Sequence, residues 1–118
     1  MARNAEAQIQ AAIVRWIRTC APQVICFAIP NGGLRSKREA AMLKWTGVLA
    51  GVPDLCVLAC GEPHFIEVKA EKGRPSLEQN EFFARLDEQG VPWCVAKSID
   101  DVRAAFDRWG IETREVAA

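Results

Sequence analysis

Apolar positions along this chain fall into two rhythms, one helical and one strand-like, and their alternation predicts a fold. From Asn4 to about Thr19, Ile9, Ala12, Ile13, Trp16 and Ile17 recur with helical spacing while Arg15 and Arg18 lie elsewhere on the wheel, which predicts an amphipathic helix ended by Pro22. The β-branched and aromatic run V-I-C-F-A-I at 24–29 has strand length and reads as a central strand. P-N-G-G at 30–33 is a turn, and S-K-R-E at 36–39 is a capping box opening a helix to about Trp45 or Val48. Strands at 54–59 and 64–70 come next, and C-G-E-P at 60–63 favours a tight antiparallel reversal between them. Alternation in the second strand puts Phe65, Glu67 and Lys69 on one face, with Ile66 and Val68 on the other. S-L-E-Q at 76–79 is a second capping box, opening a helix to about Gln89 whose stripe is Phe82, Phe83 and Leu86 and which Gly90 ends. V-P-W-C-V-A at 91–96 reads as a strand, 98–109 as a last helix capped by Ser98, and 111–118 as a tail. The order α-β-α-β-β-α-β-α predicts an α/β sandwich around a small mixed sheet, its last strand returning parallel to another.

Composition narrows the class. With 118 residues, 50% hydrophobic and 25% charged, the chain suits one globular domain. No apolar run has the length of a membrane span, and M-A-R-N-A-E-A-Q lacks the apolar core of a signal peptide, so a cytoplasmic location is expected. Five cysteines, at 20, 26, 56, 60 and 94, sit in mostly apolar stretches and read as reduced core residues. Cys56, Cys60 and His64 lack an evident fourth ligand for zinc, and the two cysteines share one strand.

Net charge is zero, yet its distribution is uneven. Residues 1–74 carry ten Lys and Arg against six Asp and Glu, and residues 75–118 carry five against nine. Arg35, Lys37, Arg38 and Lys44 gather around the start of the second helix, beside Asn31, Gly32 and Gly33, and Lys72 and Arg74 lie in the E-K-G-R-P loop. Clustered cations and free backbone N–H groups suit a phosphate backbone; they equally describe a solvated face.

The chemistry concentrates between Gly51 and Lys69. Asp54 and Glu67 stand where adjacent strands can join them, and paired carboxylates suit Mg²⁺ or Mn²⁺, hard ions that keep waters and take up phosphate oxygens. Lys69, on the Glu67 face, is placed to contact an attacking water or the charge developing on phosphate. Glu6 begins the buried stripe of the first helix and Gln79 precedes that of the third, so both can aim inward. Each has a plainer account. Glu67 and Lys69 can be edge-strand charges, Glu6 a first-turn acid, and Gln79 only a cap.

In combination, G-V-P-D at 51–54, F-I-E-V-K-A-E-K-G at 65–73, S-L-E-Q at 76–79 and P-N-G-G at 30–33 resemble the VRR-NUC (virus-type replication-repair nuclease) family of the PD-(D/E)xK superfamily. The likeness spans about residues 4 to 107 in the family's order. It implies a restriction-endonuclease-like fold in which Asp54, Glu67 and the Val68 carbonyl hold a metal and Lys69 is the catalytic lysine. It likewise makes Glu6 the acid of the first helix, expected to add a metal ligand or hold a metal-bound water, and Gln79 the accessory glutamine of the third, expected to orient that shell. The activity it implies is that of an Mg²⁺- or Mn²⁺-dependent endonuclease for branched DNA, a Holliday junction or flap, acting in replication and repair. It would be a homodimer of the stand-alone bacterial or phage type, with no small-molecule cofactor beyond the metal. Two other readings stay open: a module that binds DNA structure without cutting, and a restriction-like enzyme that cuts duplex DNA.

Overall fold

The computed structural model describes residues 2–30 and 36–115, and its elements keep the expected order. They are α1 (Ala2–Cys20), β1 (Ile25–Ala28), α2 (Lys37–Trp45), β2 (Leu55–Ala59), β3 (Glu62–Val68), α3 (Leu77–Glu88), β4 (Trp93–Ala96) and α4 (Ile99–Trp109). The strands form one sheet ordered β1-β2-β3-β4, antiparallel except for β3 and β4, which the α3 crossover makes parallel.

The β2–β3 hairpin is tighter than the sequence suggests. Ala59 pairs with Glu62, so the loop is Cys60–Gly61 alone, both at positive φ (52° and 80°), the geometry of a type I′ turn. Pro63 therefore lies within β3 rather than in the loop. Cys60 is exposed at this tip, which corrects its assignment to the core; the other four cysteines are buried. Burial pushes the Cys26, Cys56 and Cys94 thiols up, Cys94 to about 12, so these are poor nucleophiles.

The two faces of the sheet differ. Register puts Cys26, Leu55, Val57, Ile66, Val68, Cys94 and Ala96 on one face, where they pack against Ile13, Trp16 and Ile17 of α1 and Val102, Ala105 and Phe106 of α4. This is the main core. The opposite face carries Ile25, Phe27, Cys56, Phe65, Glu67 and Trp93. Here α3 covers the β3–β4 side, where Phe83 stacks on Trp93 with ring centroids 3.9 Å apart.

Strand β1 is an edge strand, not the central one its sequence suggests, and Ile25 and Phe27 are 62% and 43% exposed. The Ile29 N–H donates to the Asp54 carbonyl at 2.7 Å, so odd-numbered residues here bond inward and even-numbered ones face the open edge. Arg18 donates to the Cys26 carbonyl at 3.1 Å and so covers part of that edge. The stretch read as a tail is partly structural. Ile111 is buried in the core, the Arg114 N–H donates to the Cys20 carbonyl at 2.8 Å, and Gln23 donates to the Glu112 carbonyl at 2.7 Å.

Helix α2 is the exception to this packing. Ser36 caps it by accepting the Glu39 N–H at 3.1 Å, yet none of its residues is buried and Trp45 is 82% exposed.

Candidate active site

Loop and strand ends converge at one end of the sheet. Asp54 precedes β2, and its backbone carbonyl ties it to Ile29 after β1. Its side chain reaches across to β3, where Oδ2 accepts the Val68 N–H at 2.8 Å. Glu67 and Lys69 leave the end of β3 on one face, as period-two alternation requires, and Lys69 Nζ lies 3.4 Å from Glu67 Oε2. The Lys69 N–H donates to the Ala96 carbonyl at 3.0 Å, tying this end of β3 to β4. From α3, Gln79 Nε2 donates to Glu67 Oε2 at 3.1 Å. The hairpin and the start of α3 thus bring Asp54, Glu67, Lys69 and Gln79 together.

Glu67 is the unusual member. It is 2% exposed, and its Oε1 has no hydrogen-bond partner among the described residues. Burial first, then the neighbouring Asp54 carboxylate, push its carboxyl up to about 8, against the opposing pull of Lys69. A carboxyl in this state either shares a proton with its neighbour or trades that proton for a cation. The donor set suits a hard divalent ion, which binds through one or two carboxylates and keeps several waters.

Other expected members stand apart. Among the described residues no group of three His, Cys, Asp or Glu side chains comes together, so Glu6, half-buried on α1, does not complete a three-ligand set with Asp54 and Glu67. Nor does its plainer account hold, because α1 begins at Ala2 and has no acid in its first turn. Lys37, Arg38, Lys44, Lys72 and Arg74 are exposed. Asn31, Gly32, Gly33 and Arg35 lie outside the described residues. His64 is buried, with Nδ1 3.1 Å from the Glu62 carbonyl and 3.3 Å from that of Val57; two acceptors require that nitrogen to carry the proton, which makes it a donor in the core.

One contributor was missed in the sequence. Gly51, at φ +83°, lies so close to the first turn of α3 that an added Cβ would overlap the Glu78 carbonyl group. Its G-V-P-D context shows a turn but not what the turn packs against.

Residues 3–100 match the family model of the VRR-NUC domain. The chain belongs to the VRR-NUC family. Two solved structures support this assignment at the level of fold. One, described as a VRR_NUC domain protein, has a TM-score of 0.72 at 23% identity, over 92% of this chain and 90% of its own. The other, described as a VRR_NUC domain, has a TM-score of 0.63 at 22% identity, over 89% of this chain and 97% of its own. Among curated proteins none matches. VRR-NUC membership makes this a nuclease domain of the PD-(D/E)xK type.

Proposed function

We propose that this chain is a divalent-metal-dependent DNA endonuclease that hydrolyses phosphodiester bonds in branched DNA, a Holliday junction or flap, in the cytoplasm during replication or repair. One observation carries the reading: a buried carboxylate, Glu67, has one oxygen without a partner among the described residues, beside a second carboxylate and a lysine. In a structural ion pair each buried oxygen would find a donor, because leaving one without costs about 1–3 kcal/mol or more. The Asp54 and Glu67 carboxylates and the Val68 carbonyl would hold Mg²⁺ or Mn²⁺. When bound, such an ion polarises the phosphodiester and makes its water a stronger nucleophile.

The chain's own residues do the rest. Asp54 is oriented by the Val68 N–H and Glu67 by Gln79, so neither carboxylate has to be ordered at the moment of reaction. Lys69 exchanges its contact with Glu67 for the phosphate oxygens or the attacking water. The exposed cations Lys37, Arg38, Lys44, Lys72 and Arg74 hold the phosphate backbone, which fixes position without reading sequence.

A four-way junction needs two symmetric cuts, which a two-fold dimer supplies. The exposed Met42, Trp45, Val48 and Leu49 in and after α2 support a homodimer, since a nine-residue helix without a buried face is marginal in water.

Incubation of purified protein with labelled four-way, flap and linear DNA, with Mg²⁺, Mn²⁺ or EDTA, tests the reading. Cutting should require metal and vanish in Asp54→Ala and Glu67→Ala. Cutting that survives EDTA would end the metal mechanism, binding without cutting under every metal would make this a structure-recognition module, and cutting confined to linear duplex would make it restriction-like.

A further inference from the structure

Gln79 belongs to two structures at once. As the third residue of α3 it closes a capping box: its Oε1 accepts the Ser76 N–H at 2.8 Å, and its own N–H donates to Ser76 Oγ at 3.1 Å. A backbone N–H can only donate, so the amide turns its oxygen to the cap, and Nε2 is left to reach Glu67 Oε2 at 3.1 Å. Flipped, the same amide would set oxygen against carboxylate. The neighbouring residue of that turn, Glu78, is the one on which the Gly51 backbone rests, and Gly51 opens the loop that delivers Asp54. One helix start therefore touches both carboxylate-bearing segments.

We propose that Ser76, through its backbone N–H, and Gly51 are positioning residues of the site: Ser76 sets which end of the Gln79 amide faces Glu67, and Gly51 lets the Asp54 loop seat on the same helix turn. The geometry stands by itself; its consequence for metal binding rests on the nuclease reading. The capping box then does more than begin a helix, because it determines whether Glu67 meets a donor or an acceptor.

Two substitutions separate the N–H from the hydroxyl. Ser76 has φ −74°, which proline adopts, so Ser76→Pro removes both groups while keeping that φ. Ser76→Gly removes only the hydroxyl and remains a serviceable cap. The readouts are the Gln79 side-chain amide resonances, taken without metal or DNA, and Mn²⁺ binding by calorimetry. Ser76→Gly should keep both near wild type. Ser76→Pro should move the resonances to those of a free glutamine and weaken Mn²⁺ binding by about 10- to 100-fold, the usual effect of losing a group that orients a ligand. Its effect should not add to that of Gln79→Leu. Gly51→Ala should weaken Mn²⁺ binding in the same range.

A folded Ser76→Pro protein with unchanged resonances and Mn²⁺ affinity would overturn the role of Ser76, and a folded Gly51→Ala protein with unchanged affinity that of Gly51. Hydrogen exchange needs no Ser76 variant: the Ser76 N–H should be protected in the wild type and lose protection in Gln79→Leu, and fast exchange in the wild type would also overturn it. A wild-type chain that neither takes up Mn²⁺ nor cuts DNA sinks the nuclease reading separately, while the amide resonances still decide the positioning.

Discussion

The two faces of the sheet put the same residue types to different uses. Toward α1 and α4, aliphatic and aromatic side chains interdigitate into a closed core around Ile13, Ile17, Ile66 and Phe106, each with no exposure. Toward α3 the cover is partial: Phe83 stacks on Trp93, Glu67 lies beneath Gln79, and Ile25 and Phe27 remain open toward β1. The closed face supplies stability. The half-covered face holds the one buried carboxylate among the described residues. Substitutions on the two faces should therefore change different measurements.

The largest effect belongs to the half-covered face. Glu67→Gln should lower the cleavage rate by about a thousandfold or more, as several kcal/mol of charge stabilisation would be lost, with little loss of stability. Single-turnover cleavage beside thermal melting checks this, and a Glu67→Gln protein that cuts normally would break the contrast. On the closed face, Phe106→Ala should cost about 3–5 kcal/mol in denaturant titration through cavity formation.

The pH dependence without metal sharpens the same contrast. Below about pH 4.5 Glu67 is protonated in folded and unfolded chains alike; between there and about 8 only the folded chain keeps the proton. The folded state then binds more protons, so stability should fall as pH rises through that window and level off above it. Melting in EDTA should show this slope, and Glu67→Gln should flatten it.

Two further substitutions should have smaller effects. Trp45→Ala should shift the mass in light scattering from dimer to monomer while changing protomer stability by about 0.5 kcal/mol or less. Cys60→Asn should raise stability by up to about 1 kcal/mol, because asparagine tolerates the left-handed conformation better than cysteine.

How legible these features were depends on how local their causes are. The helices α1 and α3, the hairpin and the Ser76 cap arise from periodicity, turn residues and a four-residue motif, all contained within one segment. So does the meeting of Glu67 with Lys69, which alternation alone dictates. The edge position of β1 was not legible, since a short β-branched run looks the same wherever its sheet places it, and the open half-face that leaves Ile25 and Phe27 exposed is a property of three other strands. The hairpin tip hid Cys60, because an apolar flank does not reveal a positive φ. Gly51 against Glu78 joins positions far apart in sequence, which no local pattern encodes. Glu6 had an inward-facing place on its helix, but the crossing of α1 over the sheet decides what it meets.

The return of Ile111 and Arg114 to α1 bears on synthesis. The apolar stripe of α1 is closed by residues that follow β4 in the sequence, with the Cys20 carbonyl accepting from Arg114 and Trp16 facing Phe106 at 5.8 Å between ring centroids. On the ribosome, the segment carrying Asp54, Glu67 and Lys69 emerges while that stripe is still bare. A chain halted before α4 would hold Asp54, Glu67 and Lys69 but lack Val102, Ala105 and Phe106, so the core over α1 would stay open and exposed to aggregation.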